Sequence, residues 1–372
     1  MTGSFATPNG VAKEPVLFIS DPFSRTIEPM TARFAMPDEI THWNDLILAN
    51  PDKGNLFQGA EFAEQKQLAG WTPRYIIIGG TAILAIEKKI PLLGKVWYLP
   101  KGPGVDSYKT LFDLTPILWD FASRNGVFTV KIEPELPLGT DMSPLGFTKT
   151  RHIQPNFSTV LLDISKPLDE VLIALPQKGR HAIRRAERDG VTTQAIPASD
   201  ENCRIMFNLL KDTAQDHEFG IRSPDYYKTY WQRYEKAGIG QLFFAYYQGE
   251  MVAGAYVLAF GTKGTYKDGA SIRKRTAYGA SHLLQWRAIE WLKSKDVELH
   301  DLCGAPPIDQ IKNPDHPHYG IGLFKTAFNK EVTQYVGAYE MPISKLKSKI
   351  WTKYLEKIIR RLYYKKHHES YY

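Results

Sequence analysis

Apolar positions along this chain recur with two spacings, and their order divides it into two similar halves. In the first half, helical spacing predicts helices over Pro37–Ala49 and Gln58–Leu68. Alternation then predicts strands at Arg74–Ile78, Ala82–Lys88 and Lys95–Leu99, the first pair turned by Gly79-Gly80. A long amphipathic helix follows from Tyr108 to Arg124, stopped by Asn125-Gly126, and the strand Val127–Ile132 closes the unit. In the second half, Gln241–Tyr247 and Met251–Phe260 form a hairpin, and Thr265–Gly269 adds a third strand. A helix over Thr276–Lys293 and a strand over Val297–Leu302 complete the same order. Between the halves lie predicted helices at Leu168–Leu175, Lys178–Arg188, Ser199–His217 and Pro224–Lys236, with a strand at Val191–Ile196. The expectation is therefore an α+β protein made of two copies of one unit, joined near Gln154–Ser158.

The ends of the pattern differ from the middle. Residues 1–30 show no periodicity and are expected to form a loosely held arm. Tyr319–Phe328 is a short apolar segment carrying Lys325 between Phe324 and Phe328, and a strand-like run over Val332–Tyr339 follows. An ammonium between aromatic rings is expected to be aimed at an anion. Ile343–Tyr364 reads as a basic amphipathic helix with Leu346, Ile350, Tyr354, Ile358 and Leu362 at helical spacing.

Composition narrows the picture. Of 372 residues, 43% are hydrophobic and 23% charged, an ordinary globular balance too long for one average core. Net charge is +7, which favours a polyanionic partner such as nucleic acid, a nucleotide or an anionic membrane surface. The two cysteines, Cys203 and Cys303, form no metal or disulfide motif. No signal-peptide pattern and no 18-residue apolar run occurs, so the expected location is cytoplasmic.

Several constellations carry candidate chemistry. Leu99-Pro-Lys-Gly-Pro-Gly104 precedes a helix, where glycines let backbone N–H groups approach an anion, but a tight turn is the simpler and preferred reading. Asp268-Gly-Ala-Ser-Ile-Arg-Lys-Arg275 stands at the matching point of the second half, and Arg275-Thr-Ala-Tyr-Gly-Ala280 misses the coenzyme A pyrophosphate pattern by one residue. Arg180, Arg184 and Arg188 are spaced by four and put three guanidinium groups on one helix face, a phosphate-binding pattern or a solvated face. Phe219-Gly-Ile-Arg-Ser-Pro-Asp-Tyr226 brings Arg222 to a helix capped by Ser223, with Tyr226 on the same rim. His316, His318, His367 and His368 lie in a proline-punctuated loop and a tail, so no metal site is expected. Cys303 follows an expected buried strand without an obvious histidine base and is expected to be a packed small residue.

Taken together these motifs resemble the Fem-type (FemABX) peptidoglycan bridge-formation aminoacyltransferases. The resemblance rests on Phe57–Trp71, Trp97-Tyr-Leu-Pro-Lys-Gly-Pro103, Thr159–Asp163, Arg180–Gly190, Asp301-Leu-Cys-Gly304 and Gly322-Leu-Phe-Lys325, in that order. It implies two GNAT-like (acyl-CoA N-acyltransferase-like) domains in tandem, with the C-terminal segment returning to the first. On this chain they would be 31–155 with 337–372, and 156–336. It also implies transfer of an amino acid (Gly, Ala or Ser) from aminoacyl-tRNA, as co-substrate without further cofactor, to the side-chain amine of the muropeptide precursor stem peptide. By similarity, Lys66 and Arg222 grip the precursor diphosphate with Tyr226 beside them, and Lys325 stabilises the oxyanion. Tyr266, Asp268 and Glu133 are placed along the acceptor channel, and Arg180, Arg184 and Arg188 become contacts for tRNA phosphates. A monomer is expected.

Two hints conflict over the acceptor. The long helical arm of some family members is absent between Asp189 and Ser199, as in compact members that use a UDP-linked precursor. The basic C-terminal helix instead suits an anionic inner-membrane surface and a lipid-linked precursor, or docks on the first domain with a solvated face. The alternative function is an acyl-CoA-dependent N-acyltransferase acting on a small amine or amino sugar. A binding module without catalysis is supported by charge alone.

Overall fold

A computed structural model describes residues 30–154, 157–217, 221–272, 277–367 and 371–372. Apart from Met30, the expected arm lies outside them, as do Phe219, Gly220, Arg273–Thr276 and His368. Strand β1 (Ala32–Phe34) and helices α1 (Pro37–Thr41) and α2 (Trp43–Leu48) come first, and α3 (Ala60–Leu68) follows a 3-10 turn at Leu56–Gln58. Strands β2 (Thr72–Ile78), β3 (Thr81–Ile90) and β4 (Gly94–Leu99), helix α4 (Tyr108–Arg124) and strand β5 (Val127–Ile132) complete the first unit. Short strands β6 (Thr148–Lys149), β7 (Ser158–Thr159) and β8 (Leu161–Asp163) lead to α5 (Leu168–Ala174) and α6 (Gln177–Arg188). Strand β9 (Thr192–Ile196) and helices α7 (Asp200–His217) and α8 (Pro224–Lys236) precede the second run of strands. That run is β10 (Gly240–Tyr247), β11 (Glu250–Phe260) and β12 (Lys263–Ser271), followed by α9 (Ala280–Lys293) and β13 (Leu299–Asp301). Helix α10 (Tyr319–Lys325) and strands β14 (Thr333–Gln334) and β15 (Tyr339–Pro342) come next. Helix α11 (Lys345–Ile350), a π-helical turn (Trp351–Leu355) and α12 (Glu356–His367) form the C-terminal helix.

Both sheets are laid out to one plan. The first runs β1-β2-β3-β4-β5-β15-β6 and the second β9-β10-β11-β12-β13-β8. In each, three antiparallel strands are followed by a long helix and a fourth strand that pairs parallel, β4 with β5 and β12 with β13. In each, the next strand is antiparallel and comes from elsewhere in the chain: β15 beside β5, β8 beside β13. The C-terminal segment therefore returns to the first sheet as expected. Leu111, Leu114 and Leu118 of α4 cover the first sheet, and Leu283, Leu284 and Ile289 of α9 cover the second. A further core joins Trp43, Phe57, Phe62 and Leu84 to Met206, Trp231, Phe244 and Leu258, so the two sheets share apolar packing.

Two expectations change, and a third stretch takes the simpler of its two readings. The helix over Pro37–Ala49 breaks at His42, whose backbone (φ −108, ψ 29) leaves the helical region. The run Val332–Tyr339 is not one strand: Gly337 takes a left-handed φ of 76, and β14 and β15 on either side pair with different partners, Tyr335 adding a single bridge to Pro137. The loop Leu99–Gly104 is a tight turn whose glycines make room for buried amides. A Cβ on Gly102 would lie 2.8 Å from Gln58, and one on Gly104 would meet Asn50.

Those amides have a definite task. Strand β4 pairs only with the Ile86–Ile90 half of β3, which leaves Ala82 and Leu84 without a strand on that side. Asn50 bonds Ala82 N and O at 2.9 and 2.8 Å, and Gln58 bonds Leu84 N and O at 2.8 and 3.1 Å and the Pro100 carbonyl at 2.8 Å. Gln58 is 1% exposed. Gln58→Ala strands three buried backbone groups and is expected to cost about 3 kcal/mol, read as a lower urea midpoint with an unchanged slope.

Candidate functional site

The site lies where α3, α8, β12 and α10 converge. Lys325 ends α10, 6% exposed, its ammonium 6.0 Å from the Tyr266 ring, which packs in turn on Phe324 (6.1 Å) and, through it, Phe328 (5.5 Å). Its ammonium donates to the carbonyls of Cys303 and, at 2.5 Å, Gly304. Those two residues take left-handed φ values of 55 and 79, so the chain after β13 turns twice and presents both carbonyls together. Burial, partly offset by Cys303 and Asp301, pulls the Lys325 pKa down to about 8. Gly179 in α6 fits the same region: a Cβ there would collide with the Ala327 carbonyl, two residues past the lysine.

Lys325 opens into a cleft of about 350 Å³ lined also by Tyr266, Lys267, Asp268, Tyr227 and Cys303. Period-two alternation would turn Lys267 away from Tyr266 and Asp268. A bulge intervenes: Tyr256 faces Asp268 and Val257 faces Tyr266, so Lys267 is the extra residue and lines the cleft with both neighbours. Gly269 admits this arrangement, since a Cβ there would strike the Tyr266 hydroxyl. Asp268 accepts from the Trp231 indole at 2.9 Å and lies 3.5 Å from the Lys267 ammonium. Burial, the largest single influence, works to lower the Lys267 pKa, but Asp268, joined by Cys303, Tyr227 and Tyr226, outweighs it in sum and holds the group charged. Burial, then Asp268, pushes the Tyr266 phenol well up. Burial raises the Cys303 thiol to about 11, which fits a packed residue and not a nucleophile.

Ile221, Tyr227 and Lys267 also line a neighbouring cavity of about 650 Å³, so the two spaces share a wall. This second cavity gathers Lys66, Arg222, Tyr226, Arg360 and Arg361. Lys66 stands over the Phe62 ring at 5.2 Å, and Arg222 over the Tyr226 ring at 4.5 Å. Ser223 caps α8 through the Tyr226 N–H at 3.3 Å, which fixes that rim. Arg222 also donates to the Tyr372 carbonyl at 2.6 Å, and Tyr371 and Tyr372 form part of the wall.

The expected residues thus fall into groups. Lys325, Tyr266 and Asp268 share one cleft; Lys66, Arg222 and Tyr226 share the next. Glu133 lines neither. It accepts from the Tyr98 hydroxyl and from the N–H groups of Ile153 (2.6 Å) and Gln154 (3.2 Å), holding from behind two residues that form the second cavity's wall. Burial raises its pKa. Arg180 leaves the expected arginine face. Its guanidinium donates to the Ile173 (2.6 Å) and Leu175 carbonyls at the end of α5, while Arg184 and Arg188 are exposed. Among the described residues no group of three or more His, Cys, Asp or Glu could hold a metal ion.

Sequence reasoning missed Lys267, Arg360 and Arg361. The bulge has no periodic signal, and the two arginines were visible only as charge on a helix whose inward face was not. For Lys325, an NMR titration of its side-chain nitrogen, assigned by its loss in Lys325→Arg, is expected to give a midpoint near 8. A midpoint at the ordinary 10.5 contradicts the burial described.

Comparisons agree with this architecture. The FemAB family model matches residues 137–247 and 238–357, more than half of the chain. The lipid II:glycine glycyltransferase of Staphylococcus aureus is 21% identical over 385 residues, covering 80% of this chain and 90% of that protein. The crystal structure of FemX superposes with a TM-score of 0.73 at 19% identity, over 87% of this chain and 99% of that one. A conserved protein of unknown function from Bacteroides thetaiotaomicron gives 0.54 at 10% identity, over 84% and 98%. The fold is the α+β, tandem GNAT-like one.

Proposed function

The chain belongs to the FemAB family, and from that premise we propose that it transfers an amino acid from aminoacyl-tRNA to an amine of a peptidoglycan precursor. The similarity to a lipid II glycyltransferase supports acyl transfer onto a muropeptide, with glycine, alanine or serine as the amino acid transferred. The observation that carries the reading is the shared wall between a cation-lined cavity and the Lys325 cleft. Lys66 and Arg222 bind the precursor diphosphate with Tyr226 beside them, Arg360 and Arg361 adding charge. The stem peptide passes Lys267 and Asp268 to bring its third-residue amine to Lys325. The working units are 31–155 with 337–372, and 156–336, and the protein acts as a monomer.

In the reaction, the neutral amine attacks the ester carbonyl of the aminoacyl-tRNA. A C–N bond forms, negative charge collects on the carbonyl oxygen, and the ribose hydroxyl leaves with a proton. Two of the three Lys325 N–H groups are held by Cys303 and Gly304, which aims the third at that oxygen. No histidine lines the cleft among the described residues, and proton removal from the amine is assigned to the substrates themselves. The exposed Arg184 and Arg188 contact tRNA phosphates. No cofactor enters the reaction.

The direct test mixes the protein with a panel of charged tRNAs and both UDP-linked and lipid-linked precursors, and weighs the product. A mass gain of one Gly, Ala or Ser residue is expected with at least one pair. No gain with any pair, together with coenzyme A binding by calorimetry, replaces the reading with an acyl-CoA transferase. Lys325→Ala is expected to lower kcat about 10²–10³-fold with precursor binding retained. Lys325→Arg should fail similarly, because a planar fork cannot replace a compact ammonium there. Arg222→Ala should act the other way, raising the precursor KM about tenfold or more while kcat holds.

A further inference from the structure

The C-terminal helix docks with the opposite face from the one its apolar spacing suggests. The residues it buries are Ser348, Trp351 and Glu356. Trp351 enters a cluster with Ile90, Leu93, Val96 and Phe128, and the Ser348 hydroxyl bonds the Phe128 carbonyl at 2.9 Å. The helical stripe points outward: Leu346 is 70% exposed, Tyr354 63%, Ile358 54% and Leu362 59%. Single exposed apolar residues are ordinary, but a row of four along one helix is an unpartnered face.

Its charge says what would cover it. Eight of the lysines and arginines between Lys345 and Lys366 are exposed. The one acidic residue from Ile343 to His367 is Glu356, and it is turned inward onto Lys131 (3.0 Å) and the Tyr372 hydroxyl (2.6 Å). Among the described residues of this helix, the exposed face is thus apolar and cationic, with no exposed carboxylate. The turn between β3 and β4 adds to it: Leu92 is fully exposed with Lys89 near it, while the adjacent Leu93 packs in the Trp351 cluster. A nucleic-acid surface needs the cations but gains nothing from leucine and isoleucine. The headgroup and acyl boundary of an anionic bilayer answers both.

We infer that this face, Leu346 to Leu362 with its flanking lysines, is a docking surface for an anionic lipid bilayer. The surface stands independently of the transfer reaction. If that reaction is granted, the consequence is an orientation, because Arg360, Arg361 and Tyr364 on the same helix line the diphosphate cavity. A lipid-linked diphosphate held in the bilayer would then meet the cavity at its own membrane-facing edge.

Vesicle flotation of the full chain tests this, using phosphatidylglycerol–phosphatidylcholine vesicles against phosphatidylcholine alone, neither containing precursor. Binding is expected to the anionic vesicles, weakening as salt rises. The Ile358→Ser/Leu362→Ser double variant, whose side chains line neither of the two cavities described above, should bind them about tenfold more weakly with its thermal midpoint kept. Its affinity for bulk tRNA should be unchanged. Equal binding to both vesicle types, no binding to either, or an unweakened double variant would overturn the inference. Loss of tRNA affinity in the double variant would do so too, by making the face a nucleic-acid surface. Because the vesicles hold no precursor, failed transfer leaves this result untouched, and failed docking leaves transfer to a UDP-linked precursor measurable.

Discussion

A buried ammonium must be met by acceptors, or its desolvation costs several kcal/mol. Lys325 meets that condition with two backbone carbonyls and, among the described residues, no carboxylate in direct contact. A carboxylate would hold the group charged and neutralise it; carbonyls orient it and leave its charge for another anion. Much of the surrounding structure serves this arrangement. Cys303 and Gly304 adopt left-handed backbone so that both carbonyls face one point, and Gly179 lets α6 close on the segment that follows the lysine. The opposite solution appears next door, where Lys267 is answered by Asp268 and stays charged. Two cations at one cleft are thus shifted in opposite directions, Lys325 down because burial prevails and Lys267 up because its charged neighbours do.

A second buried cation organises the C-terminal end. Lys131 on β5 is 1% exposed and lies between Glu340 of β15 (3.7 Å) and Glu356 of α12 (3.0 Å). Glu340 also accepts from Thr129 at 2.8 Å and from Thr352 at 2.5 Å, so strand and helix are fastened to the same point. The returning strand completes the first sheet, and the helix it leads into brings Arg360 and Arg361 to the cavity wall. The Tyr371–Tyr372 segment packs on Trp71 and Tyr98 within that wall, the Tyr371 carbonyl accepting from the Trp71 indole at 3.1 Å. Fold completion and cavity completion are one event here.

What could be read from the sequence follows from range. Helix α4 and strand β5 have the limits expected, because a Ser107 cap, an amphipathic repeat and Asn125-Gly126 are local signals. The repeated unit was legible for the same reason, and the ordered motifs carried the family. The features that failed depend on distant partners. The backbone at Gly337 splits a β-rich run, since Ser158–Thr159 and Val127–Ile132 each claim a different part of it. The C-terminal helix buries Trp351 and Ser348 because the Phe128 surface accepts them, which an apolar count along the helix cannot see. Glu133 and Arg180 looked like site residues by type and position, and both are used by neighbouring backbone. Lys267 was hidden by a bulge.

The central claim is that one substrate spans both spaces, diphosphate at Lys66 and Arg222 and acceptor amine at Lys325. A crystal structure of the protein with a UDP-linked muropeptide tests it most directly. The account predicts diphosphate oxygens within hydrogen-bond reach of Lys66 and Arg222, the Tyr372 carbonyl displaced from Arg222, and the stem peptide running past Lys267 into the Lys325 cleft. A diphosphate bound elsewhere, or a stem peptide leading away from Lys325, would contradict it.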